Sequence, residues 1–290
     1  MATLGLALAS AVWGWTFVLV KDALGEMGPL GFLAVRFGVA AALCVPVSLT
    51  RDGAWARRTW AWGGALGLAL FGGYALQTWG LVYTTAQKSG LITGLSVVLV
   101  PLWAWAFGGR PDPRTWLGVG LAGVGVALLA LGGEGLAGGA WLGDLLTVGC
   151  AAAFAFHLVL VDRYAKAADP QALLLPQVLL VALLSLAGGA ATGELALPAS
   201  SQGWIAVGVT AALATVGAFG LVLWAGRRVS APWMGLVLAT EPMFAALFGW
   251  WLRGEGLHPL QGVGATLVVV GILSAPHRRS VDGGARGDDT

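Results

Sequence analysis

The chain has 290 residues, of which 58% are hydrophobic and 10% charged, with a formal net charge of +2 and a mean hydropathy of +0.81. A water-soluble domain of that composition would lack the polar surface to cover itself, so the chain reads as an integral membrane protein in a lipid bilayer. No soluble domain is left over to hold a separate enzymatic activity, and no nucleic-acid partner is expected.

Ten stretches are apolar enough to be read as spanning helices, each span needing about 20 residues. The first, 2–20, has no Lys or Arg before it and no small-residue cleavage pattern after it, so it is expected to stay as a helix. It carries Trp13 and Thr16, which share a face. The second, 29–50, holds Arg36, about 10 Å from the start of the span at the standard helical rise. A guanidinium facing lipid at that depth would cost at least about 2.5 kcal/mol, so Arg36 is expected to face the bundle interior and to have a partner, with Glu241 the expected one. The third, 62–83, puts Tyr74 and Gln77 on one face, offers Gly63 and Gly67 for close helix packing, and has Gly72-Gly73 as a candidate bend.

The fourth span, 89–108, aligns Thr93 with Ser96 and contains Pro101. In the fifth, 115–132, and sixth, 140–161, Gly118 with Ala122 and Gly149 with Ala153 make further small-residue faces, and His157 lies near the end of the sixth. The seventh and eighth run over 171–192 and 203–225. The ninth, 231–252, has Glu241-Pro242 near its middle, where a proline frees a carbonyl and bends the helix. The tenth, 260–275, and the fifth are the shortest, and 276–290 is expected to be a disordered cytoplasmic tail. Lys21 and Lys88, at helix ends, are expected to snorkel into the headgroups. Cys44 and Cys150 are expected to be buried small hydrophobes.

Shifted by 141 residues, the chain aligns with itself: Pro29 meets Pro170, Leu33 meets Leu174, Gly94-Leu95 meets Gly235-Leu236 and Pro101 meets Pro242. This divides the chain into a first five-helix repeat, 1–138, and a second, 139–275. With the N-terminus in the cytoplasm, twelve of the 16 basic residues fall in cytoplasmic segments and three outside, which sets both termini on the cytoplasmic side of the cell inner (plasma) membrane. Five helices per half is an odd number, so the second half enters from the opposite face. The expected fold is therefore all-α, ten transmembrane helices formed by two five-helix inverted-topology repeats.

Trp13-Gly14 followed by Lys21, Arg36-Phe37, Pro101, Glu241-Pro242, Gly254-Glu255, and Gly264 with Gly271 resemble, in order and spacing, the drug/metabolite transporter superfamily, EamA type. The resemblance covers residues 2 to 275 and implies a ten-helix inner-membrane carrier, with relatives that export amino acids or other small metabolites. The Gly-Glu turn after the ninth span has no counterpart after the fourth. As a result, Gly118 and Gly125 pair with Gly264 and Gly271 at an offset of 146.

The polar residues inside the spans carry the functional expectation. Trp13, Thr16, Arg36, Tyr74, Gln77, Thr93, Ser96 and Glu241 all fall between the midplane and the outer face and are expected to line a substrate cavity. Several of their repeat mates are apolar: Trp13 maps to Phe154 and Gln77 to Ala218, whereas Arg36 maps to Gln177, Tyr74 to Thr215 and Thr16 to His157. Two readings of Arg36 and Glu241 stand open: an ion pair that fixes packing, and a site in which Arg36 takes a substrate carboxylate while Glu241 responds to a proton or an amine. Glu241, Pro242, Pro101 and His157 are the candidate coupling or gating residues. Catalytic residues, metal ligands and cofactors are not expected, because three scattered His residues and no clustered carboxylates make no reaction centre. The expected function is secondary transport, with export, of a small molecule such as an amino acid by alternating access, with proton coupling. The alternative is a channel or a structural membrane protein without active transport.

Overall fold

The structure is a computed structural model that describes residues 1–132, 141–253, 256 and 258–276. Among these the chain is helical: α1 (Ala2–Ala23), α2 (Pro29–Leu49), α3 (Arg57–Tyr83), α4 (Ala86–Thr93), α5 (Ser96–Ala106), α6 (Pro113–Gly132), α7 (Trp141–Tyr164), α8 (Leu174–Thr192), α9 (Ser201–Val209), a π-helical segment (Thr210–Gly217), α10 (Ala218–Gly226), α11 (Ala231–Leu238), α12 (Glu241–Arg253) and α13 (Pro259–Ser274). Nine spans among the described residues are long and apolar enough to cross a membrane, and α13, apolar but only 16 residues long, is shorter than the rest. Thus the tenth expected span is a helix, but not one of full membrane length. The repeat boundary at 138/139, the Gly254-Glu255 turn and the tail from 277 onward lie outside the described residues.

Two spans are broken. The fourth stops at Thr93 and restarts at Ser96, and the ninth stops at Leu238 and restarts at Glu241. The sequence suggests that Pro242 bends a continuous ninth helix. Instead the chain breaks just before it, and Pro242 sits in the first turn of α12, where its missing N–H costs nothing. The helix starts of these two spans, Ser96 and Glu241, lie 145 positions apart, and their caps, Thr85 and Ser230, also lie 145 apart. The 141 register therefore slips before the fourth span. Pro101 is inside α5 whereas Pro242 opens α12, so the two prolines hold different places in their helices.

Glycine sets the closest helix contacts. A Cβ on Gly118 would lie 2.5 Å from the Gly271 carbonyl oxygen, and one on Gly271 would lie 2.6 Å from that of Gly118. Gly125 and Gly264 stand in the same relation, at 2.6 and 2.5 Å, so α6 and α13 meet backbone to backbone. The Gly63 and Gly67 face of α3 receives Pro176 and Gln177 of α8. Gly73 is no bend: α3 runs unbroken past it, and the space above its Cα holds the Phe154 ring of α7. Around this core Leu4, Leu8, Leu43, Leu68, Leu183 and Leu273 are exposed, an apolar exterior that suits lipid.

Polar groups tie the helix ends. Neither expected snorkelling lysine points away from the bundle. Lys21 donates to the carbonyls of Leu81 and Thr84 at the end of α3, and Lys88 is 7% exposed and forms a 2.7 Å ion pair with Asp144 of α7. These partners are helix-end groups whose own polar atoms need satisfying, and they outcompete the distant headgroups. Between α1 and α2, Glu26 accepts from the amides of Ala199 and Ser200, each at 3.0 Å, and from the Ser200 hydroxyl. Gly193, at φ 72, turns the chain out of α8 so that Glu194 accepts from the Leu30 amide at 2.9 Å. Two carboxylates thereby sit on the N-terminal ends of α9 and α2, where unpaired amides and the helix dipole favour negative charge.

Candidate functional site

A cavity of about 80 Å³, counted as space open to the centres of water molecules, lies inside the bundle. At about 10–15 Å³ of such space per water it is the size of a small organic molecule. It extends from the middle of the bundle toward the end where α1 hands over to α2: Val20 and Leu81 line it near the ends of α1 and α3, and Arg36 near the start of α2. Trp13, Thr16, Arg36, Tyr74, Gln77, Thr93, Ser96, His157, Glu241 and Pro242 all reach this one cavity. Pro101, buried within α5, is not among its walls.

Arg36 is 3% exposed. Its Nε donates to Thr215 Oγ1 at 3.0 Å and its Nη2 to Tyr74 Oη at 3.1 Å. The guanidinium carbon also lies 4.6 Å from the centre of the Tyr74 ring and 5.2 Å from that of Phe37. The expected Arg36–Glu241 ion pair is not formed, and neither side chain has an ion-pair partner among the described residues. Neutral hydroxyls and ring faces solvate the cation instead. Glu241, the first residue of α12, is half-buried and has no hydrogen bond or ion pair among the described residues.

The other polar walls are satisfied locally. Thr16 donates to the Trp13 carbonyl at 3.1 Å, and Gln77 donates to Thr93 Oγ1 at 3.3 Å, with Cys150 Sγ 3.9 Å behind it. Ser96 lines the cavity from the first residue of α5. His157, 1% exposed, bonds through Nε2 to Gln177 Oε1 at 3.0 Å and stands edge-on to Phe219 at 5.6 Å. It is thus packed in the core and faces the cavity as well.

The apolar walls are aromatic. Trp13 lies 5.1 Å from Phe219, and Tyr74 lies 5.1 Å from Phe154 in an edge-to-face pair. The Trp13 indole N–H donates to the Ala214 carbonyl at 2.8 Å. Among the residues of the site that sequence reasoning does not single out for it are Phe154 and Phe219, on the cavity wall, and Thr215, which holds Arg36. Phe154 and Thr215 carry a signal, since they are the repeat mates of Trp13 and Tyr74 at the 141 offset. Among the described residues no group of three His, Cys, Asp or Glu side chains gathers to hold a metal.

The profile of the EamA-like transporter family matches residues 1–131 and again 141–275. An uncharacterized transporter of Archaeoglobus fulgidus is 33% identical over 273 residues, covering 94% of this chain and 84% of its own. The uncharacterized inner membrane transporter YedA of Escherichia coli K12 is 24% identical over 269 residues, covering 90% and 86%. A crystal structure of a protein 20% identical to the chain superposes with a TM-score of 0.78 over 94% of this chain and 95% of that one, which shows a shared fold.

Proposed function

This chain belongs to the EamA-like transporter family, and from that premise we propose that it exports small zwitterionic metabolites, such as amino acids, across the inner membrane by alternating access. The observation that carries this reading is that Arg36 and Glu241 line one cavity and neither has a charged partner among the described residues. A charge held unpaired in a bilayer interior is costly, and a zwitterion supplies both missing partners at once: its carboxylate to the guanidinium, its ammonium to the carboxylate. The rings of Trp13, Tyr74, Phe154 and Phe219 suit an apolar body between those two ends. In the unloaded carrier a proton on Glu241 serves in place of the ammonium, which couples the return step to protons.

The reading of ten spans in two inverted five-helix repeats is supported by the reciprocal glycine contacts. Gly118 and Gly264 are mates at the 146 offset, as are Gly125 and Gly271, and each glycine touches the mate of the other. A two-fold axis relating the halves generates that crossed pattern. The two matched stretches of the family profile support the same division. Location in the inner membrane with both termini cytoplasmic is supported by the twelve-to-three distribution of basic residues and by the E. coli relative's name. On this orientation the cavity lies in the outer half of the membrane.

Counterflow in proteoliposomes tests the proposal. Vesicles loaded with unlabelled amino acid should draw in labelled amino acid transiently and saturably. Equilibration without saturation or overshoot would identify a pore instead. Reporter fusions that put the two termini on opposite sides would remove the inverted repeat.

A further inference from the structure

Among the described residues, the eighth span is wound differently from its counterpart in the first half. Its counterpart α3 is an unbroken α-helix of 27 residues, whereas the eighth passes through the eight-residue π segment Thr210–Gly217. A π segment inside an α-helix marks a functional position more often than chance, because it turns side chains and carbonyls out of α register. Here the reoriented groups can be named. The Thr215 hydroxyl donates five residues back, to the Thr210 carbonyl at 2.9 Å. With its single proton so engaged, Thr215 Oγ1 is fixed as an acceptor, and Arg36 Nε donates to it at 3.0 Å. One residue earlier, the Ala214 carbonyl accepts the Trp13 indole N–H at 2.8 Å. One π turn of the second half therefore holds two cavity residues of the first.

The consequence for Arg36 is directional. A guanidinium meets a carboxylate in two-pronged fashion either side-on, through Nε and Nη2, or end-on, through Nη1 and Nη2. Thr215 occupies Nε, and Tyr74 takes one of the two Nη2 protons at 3.1 Å. Nη1 has no protein partner among the described residues, and Arg36 lines the cavity. We propose that Thr215 is a positioning residue: it blocks the side-on edge of Arg36 and aims the end-on edge at the cavity, so that substrate anions are bound through Nη1. The π segment is the element that gives Thr215 this direction. The inference rests on the zwitterion reading above and adds to it the residue that sets how the anion is received.

Phenylalanine and phenethylamine, which share ring and ammonium but differ in the carboxylate, separate the two ideas. With purified protein in liposomes, phenylalanine counterflow by Thr215→Val should show a KM raised about tenfold, the loss expected for one hydrogen bond to a charged group, with the maximal rate within about twofold of wild type. Inhibition by phenethylamine should be unchanged, and Thr215→Ser should restore the wild-type KM. In an Arg36→Met background the further change Thr215→Val should have no effect on KM. Should Thr215→Val fail to fold, Thr215→Cys, of similar size and a poor acceptor, takes its place with the same expectations. A variant KM equal to wild type, or equal weakening of phenylalanine and phenethylamine, overturns the role of Thr215 while the zwitterion reading stands. Wild-type protein that neither transports nor binds phenylalanine, leucine or alanine overturns both.

Discussion

Lys88 and Asp144 face each other at 2.7 Å between α4 and α7, with side-chain exposures of 9% and 30%. Asp144 also accepts from the Thr84 hydroxyl at 3.2 Å, so its carboxylate joins three elements. Removing Lys88 strands a partly buried carboxylate, at a cost between that of an exposed pair and that of a fully buried one. Lys88→Met is expected to cost about 2 kcal/mol. The double variant Lys88→Met with Asp144→Leu should recover most of that loss, since it leaves no charge uncompensated. Thermal unfolding in detergent micelles measures both, and a double variant no better than the single would mean that packing, not charge, holds the seam.

The glycine seam makes a paired prediction. A methyl on Gly118 would meet the backbone of Gly271, which cannot rotate away, so Gly118→Ala should cost about 1–3 kcal/mol. Gly120, on the same helix, has nothing within 4 Å of where its Cβ would stand. Gly120→Ala should therefore be neutral or stabilising by up to about 1 kcal/mol, from helix propensity alone. Unfolding midpoints of the two variants, measured side by side, decide it.

Glu26 supplies a pH dependence outside the membrane. The Ser200 hydroxyl, followed by the Ser200 and Ala199 amides, holds its carboxyl below the ordinary value of 4.5. Because the folded value is depressed, the stabilisation is complete above the unfolded value and is lost as pH falls through the folded one. Glu26→Gln should therefore lower the unfolding midpoint at pH 7. The difference from wild type should narrow below pH 4.5 and vanish once the wild-type carboxyl is protonated. A gap that persists at pH 2 would show that the amide disturbs the connection for reasons other than charge.

The proposed proton coupling makes a prediction for Glu241. Counterflow exchanges substrate without returning an empty carrier, whereas net efflux must return one. Glu241→Gln should therefore flatten the pH dependence of net efflux. Arg36→Met should raise the KM for amino acids about a hundredfold and spare binding of phenethylamine. Efflux by Glu241→Gln that keeps the wild-type pH profile would assign the proton to another group.

Much of the fold is legible in the sequence because the bilayer imposes lengths. Apolar stretches bounded by Arg, Gly and Pro have few other ways to fold, and the helix ends fall within a few residues of the sequence-based limits. Depth is legible too, since it follows from counting residues along a helix; that is how Arg36, Tyr74, Gln77 and Thr93 can be grouped. Azimuth and neighbourhood are not. No pattern of residues tells that α2 packs beside the π turn rather than beside Glu241, so sequence reasoning matches Arg36 with the nearest opposite charge instead of with two hydroxyls. Lys88 is misread for the same reason: its partner, Asp144, lies 56 positions away on a helix whose proximity only the packing determines. The π winding has no distinctive residue signature: Thr210–Gly217 contains no proline, and its one glycine is its last residue.

At its four glycines the seam between α6 and α13 sets main chain on main chain, and there it has no side-chain torsions with which to find a second fit. A joint of that kind does not flex by degrees. Helices α6 and α13 are thereby welded into a common strut, and any rearrangement of the bundle finds its give in the spans that are already severed, at Gly94-Leu95 and Ala239-Thr240.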